Sequence, residues 1–147
     1  MLTVRLGRDL LLQLFYPVNK NPLSLNIFLI DDDLDEAELF AEALKTIDTP
    51  TTFNSFSLGT EALQSIIEEN NVPDCIFLDL NMPLVSGKEV LRRLRATEVA
   101  KTLRVIVYST TISPKDVDDT RDYMVEYLQK PSDFDTLCKK ISEILTP

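Results

Sequence analysis

At 147 residues the chain has room for one domain with a substantial core. Its 44% apolar and 27% charged residues are ordinary for a soluble globular protein, and a net charge of -9 argues against nucleic acid or an anionic membrane as the main partner. Histidine is absent and the two cysteines, Cys75 and Cys138, belong to no CxxC pair. That excludes a zinc site, a Cys–His or Ser–His catalytic pair and a phosphohistidine donor within this chain. The cysteine usage fits a reducing, cytoplasmic compartment.

Residues 1–24 read as an N-terminal extension to a domain over 25–147. Leucines and aromatics from Leu10 to Tyr16 follow Arg5 and Arg8 and stop at Pro17. The run is far below the roughly 20 residues a membrane helix needs, and no small-residue cleavage pattern follows it. We expect it to pack on the domain or on a neighbouring chain; an over-long gene start is the alternative.

Residues 25–30 form an apolar run of strand length that stops at Asp31-Asp32-Asp33. Leu34, Ala37, Phe40, Ala41, Leu44 and Ile47 then recur at helical spacing, until Pro50. Residues 51–56 are β-branched and aromatic and read as a strand. Residues 58–69 read as a helix ended by Asn70, Asn71 and Pro73.

The stretch from Cys75 to Pro83 organises the chain. It opens as a buried-strand run and ends at a lone carboxylate, Asp79, followed by Asn81 and Pro83. Ser86 and Glu89 then mark a helix start of capping-box form, and the helix carries Arg92, Arg93 and Arg95 outward. Residues 104–108 are a strand ending at Ser109-Thr110-Thr111. Ser113, Pro114 and Asp116 open a weakly apolar, Asp-rich helix. Residues 126–129 are a short strand met directly by Lys130-Pro131. Ser132 and Asp135 open the last helix, whose apolar face includes Cys138 as a core residue.

Five strands alternating with five helices predict βαβ units: an α/β fold with a doubly wound five-stranded parallel sheet and helices on both faces. In such a sheet all strand carboxyl ends lie on one edge, where ligands bind. Here that edge carries Asp31 and Asp32, Asp79, Ser109 and Lys130. Carboxylates so close repel unless a cation joins them. All-oxygen ligands select Mg²⁺, which keeps waters and accepts a phosphate oxygen. One carboxylate can then take a phosphoryl group as an acyl phosphate, with Lys130 supplying a second positive charge and Ser109 a hydroxyl.

These residues resemble the receiver domain of two-component response regulators, of the stand-alone chemotaxis-regulator kind, from about Leu25 to Leu145. The resemblance rests on Ile30-Asp31-Asp32, on Pro73-Asp74 and Asp79-Leu80-Asn81-Met82-Pro83 with Gly87, on Gly59-Thr60-Glu61-Ala62-Leu63, on Val107-Tyr108-Ser109-Thr110, and on Tyr127 with Lys130-Pro131. It implies a flavodoxin-like strand order 2-1-3-4-5. It also implies Asp79 as phosphoacceptor, and Asp31, Asp32, Asp79 and the Asn81 backbone carbonyl as Mg²⁺ ligands, with Asp33 in reserve. Ser109 and Lys130 become phosphoryl contacts, and Lys130–Pro131 a cis bond. Ser109 and Tyr127 become a switch that reshapes the face of the fourth helix, fifth strand and fifth helix. The segment before Tyr127 lacks the family's usual Gly-Ala turn, which predicts a short or shifted fourth helix.

The implied partners are a histidine kinase or histidine phosphotransfer protein and a downstream protein target, with no nucleic acid or membrane. No output domain follows, so signalling is expected through protein contacts or as a phosphate relay. The extension and the switch face are candidate surfaces for a homodimer. Two alternatives are a phosphorylation-independent pseudo-receiver and a haloacid-dehalogenase-like phosphatase. The latter is suggested by Asp31-x-Asp33 but lacks Gly and Thr at Asp35 and Glu36.

Overall fold

The computed structural model describes residues 24–146. The expected N-terminal extension, apart from its last residue, lies outside that range. Five strands form one sheet: β1 (Leu25–Ile30), β2 (Thr51–Phe56), β3 (Cys75–Leu78), β4 (Arg104–Ser109) and β5 (Glu126–Gln129). The order is β2-β1-β3-β4-β5 and every pairing is parallel. The expected fold class and strand order therefore hold.

The three central strands explain their own composition. Ile27 to Ile30, Cys75 to Leu78 and Val105 to Ser109 are buried throughout, because helices cover both faces of the sheet. Alternate side chains leave on opposite faces. Ile27, Leu29, Phe77, Ile106 and Tyr108 meet α1 (Leu34–Leu44) and α5 (Phe134–Leu145). Phe28, Ile30, Ile76, Leu78 and Val105 meet α2 (Gly59–Leu63, extended by a wider turn over Gln64–Glu68) and α3 (Gly87–Arg95). The edge strands β2 and β5 are only partly buried.

Helix ends reveal where local signals had competition. The Ser86 hydroxyl accepts the Glu89 N–H at 3.2 Å, as expected of a cap. The Glu89 carboxylate, however, bonds Arg92 and Arg93 at 2.7 to 3.0 Å instead of closing a capping box. A full box forms at α4 (Pro114–Thr120), between Ser113 and Asp116. The last helix is capped by Asp133, which accepts from the Thr136 N–H at 2.8 Å, rather than by Ser132 with Asp135. Cys138 is half-buried at the core edge, whereas Cys75 is buried.

Of three further expectations, one holds and two are corrected. The fourth helix is short, as predicted: seven residues followed by a tight turn over Arg121–Tyr123. Met124 takes the left-handed conformation (φ 54°) where a glycine would be unstrained. Arg95 does not point outward. Its guanidinium turns back to the carbonyls of Tyr123 and Ala100, at 2.8 and 3.0 Å, and ties the end of α3 to the segment after α4. No cis peptide bond occurs among the described residues, so Lys130–Pro131 is trans, the lower-energy form of an X–Pro bond.

Gly87 fixes α3 against the end of β3. A Cβ there would lie 2.1 Å from the Asp79 carbonyl oxygen and 2.6 Å from the Leu80 Cα. Both are backbone atoms and cannot swing aside. We predict that Gly87→Ala lowers stability by about 1–3 kcal/mol, the range for overpacking a tight site. Urea denaturation of the two proteins measures it, and a variant as stable as wild type would show that the loop gives way freely.

Candidate functional site

The parallel register delivers the predicted residues to one edge. The Asp31 N–H reaches the Phe56 carbonyl at 3.0 Å, the Asp79 N–H the Ile30 carbonyl at 2.9 Å, and the Lys130 N–H the Ser109 carbonyl at 2.8 Å. These sheet-type bonds carry the backbone one residue past each strand and set where the side chains emerge.

Carboxylate oxygens of Asp31, Asp32 and Asp79 lie within 4.8 Å of one another. Asp31 and Asp79 are buried and Asp32 is exposed. Asp33 is otherwise engaged: its carboxylate caps α1 by accepting the N–H groups of Asp35 and Glu36 at 3.0 and 3.3 Å. The Asp33 N–H in turn donates to Asp31 Oδ1 at 3.0 Å.

Lys130 Nζ is 2.6 Å from Asp31 Oδ2 and 3.9 Å from Asp79 Oδ2, with its side chain 10% exposed. It also lies 5.4 Å from the Tyr108 ring centroid. The Ser109 hydroxyl donates to Asp79 Oδ1 at 3.3 Å, and the Asn81 N–H donates to the same oxygen at 3.1 Å. The Asn81 side-chain amide approaches the Ser109 hydroxyl at 3.5 Å. All the predicted edge residues thus come together.

Burial raises the Asp79 pKa above the ordinary carboxylate value; the Asn81 N–H opposes this, the Asp31 charge adds to it, and Lys130 opposes it. For Lys130, burial pulls the ammonium down, but its bond to Asp31 and the charges of Asp31, Asp79 and Glu36 together outweigh it, so its pKa is raised. One ammonium faces three carboxylates, a set still short of positive charge.

That set fits a hard divalent cation. The three donors are carboxylates, and the buried Asp31 Oδ2 makes no hydrogen bond of normal geometry despite its ion pair with Lys130.

Three neighbours were not legible as site residues. Tyr108, fully buried, donates its hydroxyl to the Glu36 carboxylate. Burial, that bond and the Glu36 charge push the phenol pKa upward and keep it a proton donor. Thr120, also fully buried, places its Oγ1 2.6 Å from the Tyr127 hydroxyl. Tyr127 itself is 38% exposed on the edge strand. Tyr108 looks like one more core strand residue in the sequence, Glu36 like a helix-surface acid, and Thr120 carries no local signal.

The sequence profile of the response regulator receiver domain matches residues 27–142. The chain belongs to this family. A response regulatory protein of Shewanella oneidensis is 32% identical over 126 residues, spanning 84% of this chain and 51% of that protein. The chain spans about half the length of most curated relatives it matches. The phosphorylated cyanobacterial phytochrome response regulator RcpA superposes with a TM-score of 0.74 at 30% identity, covering 82% of this chain and 91% of that one. The Mn(2+)-bound form of response regulator Rcp1 gives 0.73 at 28%, over the same shares. Receiver domains are signalling domains and not classical enzymes, which sets aside the phosphatase alternative.

The raised Asp79 pKa has a consequence for stability. The folded chain without divalent cation holds this proton more tightly than the unfolded chain. The stabilisation is therefore full below the unfolded pKa and is lost as pH rises through the folded one. At neutral pH without divalent cation, Asp79→Asn should raise Tm by a few degrees, and Mg²⁺ should narrow that gap by stabilising the wild type. Scanning calorimetry with and without Mg²⁺ checks both. A variant that melts below wild type without the cation would contradict the charge-crowding explanation.

Proposed function

We propose that this receiver domain accepts a phosphoryl group on Asp79 from a histidine kinase or histidine phosphotransfer protein and signals through protein contacts. The observation that carries the reading is the position of Asp79: at the end of β3, beside two further acids, with the Ser109 hydroxyl on one of its oxygens and Lys130 Nζ 3.9 Å from the other. The Asp79 oxygen bonds phosphorus as the bond from phosphorus to the donor imidazole nitrogen breaks. The product is an acyl phosphate, and the imidazole keeps the electron pair. Mg²⁺, held by Asp31, Asp32, Asp79 and the Asn81 backbone carbonyl, would neutralise phosphoryl charge during transfer.

The chain's own residues do the rest. Lys130 balances charge on the phosphoryl oxygens, for which it must exchange part of its contact with Asp31. Ser109 already presents its hydroxyl to Asp79 and donates to a phosphoryl oxygen once one is attached. We assign the switch to Ser109 and Tyr127. The Tyr127 hydroxyl bond to Thr120 is the contact that inward rotation of the ring breaks, which couples the site to α4. Phosphorylation adds about -1.5 to -2 charge, enough to bias a short, thinly packed helix.

The pseudo-receiver alternative is disfavoured by the intact set of acids and lysine. Among the described residues no helix is long and apolar enough to cross a membrane. We propose a cytoplasmic receiver with neither membrane nor nucleic acid as partner, a reading that the net charge of -9 supports. We further propose that the domain occupies residues 25–147, and that the α4–β5–α5 face is a candidate surface for a homodimer.

Incubation with acetyl phosphate and Mg²⁺, read by intact mass, tests the reading. We predict one phosphoryl adduct in wild type, none in Asp79→Asn, and formation slowed at least about tenfold in Lys130→Ala, on the scale of losing one charge-stabilising group. An unmodified wild type with Mg²⁺ bound would instead establish the pseudo-receiver.

A further inference from the structure

Tyr108 and Glu36 stand outside the assigned machinery, yet the Tyr108 ring faces Lys130 and its hydroxyl binds Glu36. Tyr108 is the residue before Ser109, and its ring packs edge-on against Phe40 and Phe77, at 5.5 and 6.1 Å between centroids. Those two rings fix its plane. The Lys130 ammonium lies 5.4 Å from the Tyr108 centroid, 2.6 Å from Asp31 Oδ2 and 3.9 Å from Asp79 Oδ2. A ring face at this distance attracts a cation through its quadrupole, and does so more strongly where water is excluded.

A phenol is a poor choice for filling a core, because its hydroxyl must find a buried partner. Here the partner is the carboxylate of Glu36, projected from the first turn of α1. Glu36 lies within electrostatic reach of Lys130. The hydroxyl therefore does two things: it locks the ring, and it occupies an acid that would otherwise compete for the ammonium.

We propose that Tyr108 and Glu36 form a positioning pair for Lys130: the ring face seats the ammonium, and the hydroxyl bond keeps the Glu36 carboxylate from drawing it off the phosphoryl site. The role in transfer rests on Asp79 phosphorylation as proposed above; the seating itself does not.

Tyr108→Phe keeps the ring and frees Glu36. Phosphorylation by acetyl phosphate at saturating Mg²⁺ should slow by about three- to tenfold, the range for a displaced charge-stabilising group. Adding Glu36→Gln should restore the rate, because a neutral amide does not compete for the ammonium. In a Lys130→Ala background, Tyr108→Phe should have no further effect, since the pair acts only through that ammonium. Wild-type rates in Tyr108→Phe would overturn the proposal. So would a defect that persists without Lys130 and is not rescued by Glu36→Gln, which marks a purely structural role.

Proton NMR of the Lys130 ε-methylene tests the seat without any phosphorylation. An upfield ring-current shift in wild type that vanishes in Tyr108→Leu supports it. An unshifted wild-type resonance overturns it, whatever the labelling shows. A wild type with the ring-current shift but no labelling would instead sink the phosphoacceptor assignment and leave the seat standing.

Discussion

The parallel register brings the carboxyl ends of β1, β3, β4 and β5 to one edge, and with them three carboxylates and a single ammonium. Like charges held this close in a partly buried place oppose folding, so the surrounding structure has to hold them. The burial of β1, β3 and β4 between two helical layers does so. So does the close seating of Gly87 on the backbone of Asp79, which leaves no play at the end of β3. The core is what makes an electrostatically unfavourable edge permanent, and the edge is where a cation can restore balance.

The same edge connects to the rest of the molecule along two short routes. One runs through backbone: Gly87 sits against Asp79, and its neighbour Lys88 pairs with Asp116 and Asp119 of α4, at 2.9 and 2.8 Å. The other is indirect: Ser109 ends β4, the neighbouring strand β5 carries Tyr127, and the Tyr127 hydroxyl lies 2.6 Å from Thr120 of α4. Both reach α4, which buries only Thr120 of its seven residues. A helix so lightly packed is the element that a change of charge at the edge can move at least cost.

Much of this was legible in the sequence because strand ends are. Short apolar runs that stop at Asp31, Asp79, Ser109 and Lys130 fix both the strands and the edge, since parallel pairing leaves those residues one place to go. What the sequence hid were choices among partners. Nothing local shows that Asp33, the reserve ligand, serves instead as the cap of α1. Glu89 answers Arg92 and Arg93 rather than the helix start. Arg95 follows helical periodicity outward, but its long stem reaches back to two carbonyls that only the folded chain supplies. Tyr108 reads as one more strand aromatic, and only the packing of α1 over β4 shows that its hydroxyl meets Glu36. Local pattern fixes elements; long-range contact decides which polar group each side chain serves.

The central claim is that Asp79 takes the phosphoryl group and that Lys130 shifts from Asp31 to meet it. A crystal structure of the Mg²⁺ and beryllofluoride complex tests it most directly, because beryllofluoride mimics an acyl phosphate on a carboxylate. The account predicts beryllium on an Asp79 oxygen, with the Lys130 ammonium and the Ser109 hydroxyl on its fluorines. Mg²⁺ bound at the acids with no beryllofluoride on Asp79, or with Lys130 still held by Asp31 alone, would contradict it.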